Sequence, residues 1–284
     1  MFDSGFGGLT VARAVIDLLP DEQLVYLGDT ARYPYGPRPL DEVRRFSFEI
    51  AEHLVDQVGV KALVVACNTA SAAALDDLAT RYDVPVVGVI EPGARAAVSV
   101  TRNGRVGVIG TVGTIESGAY QHAIATIDPD VEVVATACPG FVEFVERGEI
   151  GSHQVHVLAE RLLAPVQDAE VDTLLLGCTH YPFLARTIGD VMGREVVLVS
   201  SADETAFELR GLLSGSAAAQ EPSGRRPEPV FLTTGDAKWF TDQGARLLGP
   251  ELEAARTVCL DQGAGGSAVG GGEGGPGAEV GVGG

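Results

Sequence analysis

Short, unbroken apolar runs alternate along this chain with longer segments of helical period. The runs are "QLVYLGD" (23–29), "KALVVAC" (61–67), "VPVVGVI" (84–90), "RVGVIGT" (105–111), "VEVVATAC" (131–138), "DTLLLGC" (172–178) and "EVVLVSS" (195–201). Between them, the spacing of apolar positions predicts helices over 40–58, 70–81, 114–127, 140–147 and 153–168. Strands that read as continuous Val, Leu and Ile are buried on both faces, and such strands alternating with helices build parallel sheets from βαβ units. The fold class expected is α/β. A polar, proline-bearing loop, "SGSAAAQEPSGRRPEP" (214–229), precedes one more strand (229–236) and a helix (237–248). Beyond Leu260 glycine dominates, and such a composition buries too little apolar surface to offset its ordering entropy, so 262–284 is expected to be a disordered tail.

Two of the strand-turn-helix units match. "VKALVVACNTASAA" from Val60 lies over "VDTLLLGCTHYPFL" from Val171, which puts Cys67 and Cys178 in the same frame. Ligands of parallel sheets bind beyond the carboxyl ends of the strands, so two similar halves facing one another would bring both thiols to one cleft. A thiol at a helix N-terminus, beside small hydrogen-bonding residues, is expected to have its pKa lowered from about 8.5 into the range of roughly 3.5 to 7.5. One cysteine after an apolar strand is most often a small buried hydrophobe. Two in matching frames suit a symmetric chemistry, in which one removes a proton from carbon and the other returns one to the opposite face. That inverts a stereocentre. Cys138, followed by Pro139-Gly140, reads as structural and Cys259 as incidental.

Composition narrows the partners. With 284 residues at 45% hydrophobic, the chain has material for one large or two ordinary α/β cores. Its four cysteines have no metal-ligand spacing, no apolar stretch is long enough to cross a bilayer, and no signal pattern opens the chain, so a cytoplasmic protein with free thiols and no metal is expected. A formal charge of -19 argues against nucleic acid and against anionic membrane.

The blocks "FDSGFGGLTV" (2–11), "GDTARYPYG" (28–36), "ACNTASA" (66–72), "GVIGTVGTIESGAY" (107–120), "ACPGFVEFVERGEI" (137–150) and "LGCTHYPFL" (176–184) resemble, in type and order, the glutamate racemase family of cofactor-independent, two-cysteine racemases. The resemblance runs to about residue 248. It implies two similar α/β domains whose parallel sheets face each other across a central cleft. The first would comprise 1–92 with a return over about 205–261, the second 93–204. It further implies interconversion of L- and D-glutamate without a cofactor, supplying D-glutamate for peptidoglycan and so for cell-wall biogenesis and cell shape, and it leaves room for a homodimer. By position Cys67 would handle the α-proton of D-glutamate and Cys178 that of L-glutamate. Asp3 and His180 would assist proton transfer on the two sides, with Glu146 near the histidine. Ser4, Tyr35, Gly36, Asn68, Thr69, Thr111, Thr114 and Thr179 would join Asp3 and His180 in contacting substrate.

The chemistry asks for such residues whatever the name. An amino acid α-carbon is a very weak acid, and without an electron sink the developing dianionic carboxylate must be met by dense donors, which Ser4, Asn68, Thr69 and Thr179 supply. Helix N-termini and hydroxyls act at contact distance, whereas net charge is screened over about 8 Å, so an acidic protein can hold an acidic substrate. Three readings stay open beside this one: a related racemase acting on aspartate, a Cys178/His180 thiol hydrolase, and a non-catalytic protein that closes on an acidic ligand. Gly140, where relatives are often bulkier, is expected to loosen the segment leading to Glu146, while Ser201 in place of the family's frequent Asp should leave the chemistry untouched. The start is abrupt as well. "RVGVIGT" supplies a full strand before Thr111, whereas only Met1, Phe2 and Asp3 precede Ser4, so the expectation is that the true start lies upstream and that Met1 takes a Val- or Ile-like strand position.

Overall fold

The computed structural model describes residues 1–214, 226–249 and 251–260. Its strands form two parallel sheets. The first, in spatial order β10-β9-β2-β1-β3-β4, comprises β1 (Phe2–Asp3), β2 (Val25–Gly28), β3 (Leu63–Val65), β4 (Val86–Gly88), β9 (Val230–Thr233) and β10 (Ala255–Thr257). The second, in order β6-β5-β7-β8, comprises β5 (Arg105–Gly110), β6 (Glu132–Ala137), β7 (Thr173–Gly177) and β8 (Val197–Ser200).

One four-strand pattern occurs twice. The order β2-β1-β3-β4 recurs as β6-β5-β7-β8, and β9 and β10 extend the first copy beyond β2. Phe2 sits opposite both Leu27 and Val65, as Gly110 sits opposite both Ala137 and Gly177, so β1 and β5 are central in their copies. Strand order reverses between β1 and β3 and between β5 and β7, which makes the carboxyl ends of these four strands the natural place for a ligand.

Helices cover both faces of each sheet, which explains why the strands read as unbroken apolar runs. On the first sheet, Tyr26, Val64 and Phe231 pack into a core with α1 (Leu9–Leu18), α10 (Ala202–Ser214) and α11 (Ala237–Leu248). Their neighbours Leu27, Leu63, Val65 and Leu232 point the other way, against α2 (Leu40–Glu52) and α3 (Asn68–Arg81). On the second sheet, Ile109, Leu174 and Leu176 pack against α7 (Phe141–Glu146), α8 (His153–Asp168) and α9 (Ala185–Met192). Val106, Val108 and Leu175 face α4 (Ile90–Val100) and α6 (Ala119–Ile127).

The single helix expected over 114–127 is two, α5 (Val112–Glu116) and α6, because Gly118 takes a left-handed φ of 69° between them. α1, α4, α9, α10 and β10 have no counterpart among the elements expected from the apolar pattern. Of the expected 214–229 loop, residues 215–225 lie outside the described residues, as does the glycine-rich tail. Met1 lies on the line of β1 and is buried, and its ammonium donates to the Val25 carbonyl at 2.9 Å.

Candidate active site

The site grows from the ends of β1, β3, β5 and β7. After β3 the chain passes Ala66, and Cys67 is the residue before α3; after β7 it turns through Cys178, Thr179 and His180 into a short 3₁₀ turn, Tyr181–Leu184. Cys67 is 5% exposed and Cys178 6%, so both thiols are shut away from bulk water. They also sense each other, since negative charge on Cys178 raises the pKa of Cys67.

The lowered pKa expected for Cys67 does not occur. Burial, with the Asp3 carboxylate next, pushes its thiol up to about 12, against hydrogen bonds from the Ala70 backbone and the Ser4 side chain that pull the other way. The helix terminus does supply a donor, as the local sequence implied. Removal from water outweighs it. Asp3 is fully buried, and its carboxylate accepts from the Gly5 N–H at 2.9 Å and from the Thr179 hydroxyl at 3.5 Å, so it touches both halves.

On the other side His180 lies between two partners. Its Nδ1 is 3.9 Å from Cys178 Sγ and its Nε2 is 3.5 Å from Glu146 Oε1. Burial opposes the imidazolium, but hydrogen bonding to Cys178 and Glu146 and the charges of Cys178 and Asp3 prevail, raising His180 to about 10. These neighbours favour the imidazolium over the neutral ring. Glu146 closes α7, and Gly140, which precedes that helix, has a φ of 95°, a conformation that strains any L side chain. The glycine thus shapes the approach to Glu146, where the sequence reading expected it to loosen it.

Three hydroxyls make a third group. Thr69, Thr111 and Thr114 place their Oγ1 atoms 3.0 to 3.2 Å from one another, joining the start of α3 to that of α5. Beside them the Asn68 Oδ1 accepts from the Tyr120 hydroxyl at 2.6 Å, which fixes the amide and leaves Asn68 Nδ2 a buried donor with no hydrogen-bond acceptor. Gly36 belongs to this seam: its carbonyl accepts from the Gly113 N–H at 3.0 Å, and a Cβ on it would meet Thr111 at 2.8 Å. Tyr35 stands beside it in the sequence. Its ring is buried against Phe46 and its hydroxyl donates to Asp29, so the phenol belongs to the core of the first sheet.

Sequence reasoning missed Gly7, Tyr33 and Tyr120. A Cβ on Gly7 would lie 2.2 Å from Thr179 Oγ1 and 2.5 Å from His180 Nδ1, so its missing side chain is what lets the two halves meet. Tyr33 stands in the block that supplied Tyr35, and Tyr120 ends the block that supplied Thr111 and Thr114; only tertiary packing distinguishes them. Among the described residues, no cluster of His, Cys, Asp and Glu is disposed to hold a metal ion, and no helix is long and apolar enough to cross a membrane.

Two parallel sheets of one pattern, each with a buried thiol just past an equivalent strand, define a class of protein, and sequence comparison names it: the chain belongs to the Asp/Glu/Hydantoin racemase family, whose model matches residues 9–206. Within it, the chain stands among proteins named glutamate racemase. It is 56% identical over 254 residues to that of Parafrankia sp. (strain EAN1pec), covering 89% of this chain and 91% of that protein. Among solved structures, a glutamate racemase isoform from Bacillus anthracis superposes with a TM-score of 0.85 at 44% identity, covering 92% of this chain and 96% of that one. The Francisella tularensis glutamate racemase, solved in complex with D-glutamate, gives a TM-score of 0.85 at 34% identity with the same coverage.

Proposed function

We propose that this chain is a cofactor-independent glutamate racemase that moves protons at Cα with two cysteines. The observation that carries the reading is the placement of Cys67 and Cys178 at equivalent strand ends of two copies of one fold pattern, both buried and within each other's field. L-glutamate loses its α-proton to the Cys178 thiolate, the electron pair moves into the carboxylate, and the Cys67 thiol delivers a proton to the opposite face. D-glutamate runs the same steps with the roles exchanged. Each direction needs one ionised and one neutral thiol, so a second charge of the same sign must be discouraged, and the mutual repulsion of the pair does so.

The surroundings supply the remainder. Asn68 Nδ2, with the hydroxyls of Ser4 and Thr179, presents donors to the carboxylate that takes up charge, and the hydroxyls of Thr69, Thr111 and Thr114 present donors to a carboxylate at the seam. The backbone of Tyr35 and Gly36 borders the same space. Asp3 on the Cys67 side and His180, backed by Glu146, on the Cys178 side exchange protons with the thiols. We assign 1–92 with about 205–261 to one lobe and 93–204 to the other, with substrate between them. In the cell the product would serve peptidoglycan synthesis from the cytoplasm.

The test is circular dichroism of L- and D-glutamate incubated separately with the protein and no added cofactor, with L-aspartate in parallel. Both glutamate signals should decay to zero while aspartate stays unchanged. Cys67→Ser and Cys178→Ser should each abolish racemisation while remaining folded, because a hydroxyl cannot act as the base at neutral pH. On a β-chloro analogue of glutamate, each variant should still eliminate HCl from one enantiomer, with opposite preferences. Transient acylation of Cys178 without deuterium uptake at Cα would point instead to a thiol hydrolase.

A further inference from the structure

Buried polar side-chain atoms that close no hydrogen bond are rare in folded proteins and costly where they occur. Here three of them gather at one place: Tyr33 Oη, Glu146 Oε1 and His180 Nε2. Glu146 and His180 belong to the second sheet's side of the site, whereas Tyr33 comes from the loop after β2 on the first. Its ring lies against the turn that carries Asp3 and Ser4, since a Cβ on Gly5 would meet Tyr33 Cδ2 at 2.9 Å. The ring centroid is 6.2 Å from that of His180, at an interplanar angle of 39°. Burial is the largest influence on the phenol, and the Glu146 carboxylate is the neighbour whose charge acts on it next.

We propose that Tyr33 is a positioning residue for the Cys178 side of the site: its hydroxyl donates to Glu146, which in turn holds His180 by Nε2 and keeps Nδ1 on the Cys178 sulfur. The proposal rests on the racemase reading and deepens it. A donor on the carboxylate makes Glu146 a weaker base toward the imidazolium, so the proton on Nε2 stays on the ring and the exchangeable proton is the one facing Cys178. Tyr33 reaches Glu146 from the opposite sheet, and so the relay is complete only when the two halves are together. No equivalent aromatic hydroxyl is needed by Cys67, whose neighbour Asp3 is held by a backbone N–H instead.

Tyr33→Phe removes the hydroxyl and keeps the ring against Gly5 and His180. Elimination of HCl from the two enantiomers of the β-chloro analogue reads each cysteine alone. The expected result is a loss of about tenfold on the enantiomer served by Cys178 and less than twofold on the other, the scale on which one charge-assisted hydrogen bond acts. Charged and titratable groups facing this relay are Cys178, Glu146 and Asp3 at His180, and Glu146, Cys178 and Glu143 at Tyr33. With the first set otherwise intact, the alkaline limb of the rate profile should move to higher pH in the variant, because a carboxylate without that donor holds the imidazolium more strongly. On a Glu146→Gln background, Tyr33→Phe should add nothing further. Equal losses on both enantiomers, additivity with Glu146→Gln, or an unmoved pH profile would overturn the role of Tyr33. A wild-type protein that neither racemises glutamate nor eliminates from the analogue would overturn the racemase reading itself, which separates the two failures.

Discussion

Gly7→Ala tests whether the contact between the two halves sets the catalytic geometry. The new Cβ would stand 2.2 Å from Thr179 Oγ1, 2.5 Å from His180 Nδ1 and 2.7 Å from His180 Cε1. Ordinary contact begins near 3.4 Å, so Thr179 and the ring must retreat by about 1 Å, and both are buried and already packed. Overpacking of this kind costs about 1–3 kcal/mol, which for a domain of this size lowers Tm by roughly 2 to 10 °C. The effect on rate should be larger. A displacement of about 1 Å at reacting groups is worth roughly a hundredfold, and it falls on the Cys178 side because Thr179 and His180 are the residues pushed. Racemisation followed by circular dichroism, with a thermal melt of the same sample, measures both. Gly211→Ala in α10 is the control: a Cβ there meets nothing within 4 Å, and the change should leave activity intact and stability equal or up to about 1 kcal/mol higher. A Gly7→Ala protein with wild-type rates would falsify the claim that this close approach orders the site. So would elimination rates lost equally on both enantiomers.

Two further outcomes follow from the same geometry. Thr114 is fully buried with its hydroxyl between Thr69 and Thr111, so Thr114→Val should keep the fold while raising KM about tenfold or more through the loss of one donor to a charged group; an unchanged KM would remove the hydroxyl group of three from the substrate site. For His180, whose folded pKa of about 10 lies above the unfolded value near 6.5, the pairing with Cys178 and Glu146 stabilises fully below pH 6.5 and is lost as pH rises toward 10. Urea midpoints at pH 6, 8 and 10 should fall accordingly, and His180→Asn should flatten the slope between pH 6.5 and 9. The thiols of Cys67 and Cys138, both pushed up to about 12 by burial, add a further decline above pH 9 that the His180 variant should retain. An identical slope in wild type and variant below pH 9 would show that the histidine is not held as an imidazolium.

How legible the molecule was depends on where the information sits. The α/β class was readable because β5 and β7 are buried on both faces, and burial writes itself as an unbroken apolar run. β10 was not, because "ART" is short, polar and half-exposed at a sheet edge, and only its pairing with β9 makes it a strand. The break between α5 and α6 turns on the backbone angle of a single glycine. The two thiols were readable from local repetition, since Cys67 and Cys178 each follow their own strand. The state of Cys67 was not, because burial in the folded site and the Asp3 carboxylate, which arrives from a distant part of the chain, push it up. Tyr33 was hidden for the same reason: nothing near it in sequence announces Glu146.

The repeat explains the two thiols, but their surroundings break its symmetry. β1 and β5 occupy equivalent places, yet β1 ends on a carboxylate, Asp3, and β5 ends on Gly110 with Thr111 after it. β3 and β7 are likewise equivalent, yet Cys67 is followed by Asn68 and Cys178 by Thr179 and a cationic His180. Burial and the Asp3 carboxylate favour the protonated thiol at Cys67, while at Cys178 the neighbour is His180, whose Nδ1 lies 3.9 Å from the sulfur. On the racemase reading proposed above, this suits Cys67 to the acid role, the one that L-glutamate would need on that side. On that reading, turnover of L-glutamate would leave Cys67 ionised next to Asp3, and the enzyme would have to accept D-glutamate or return the proton before another L-glutamate could react. The overall equilibrium between enantiomers fixes the ratio of kcat/KM in the two directions at one, so this asymmetry cannot favour a product. It can only divide kcat and KM unequally between the directions. On the proposed mechanism the side that starts in the wrong protonation state would carry the slower return, and Asp3 and His180 are the groups that would shorten it.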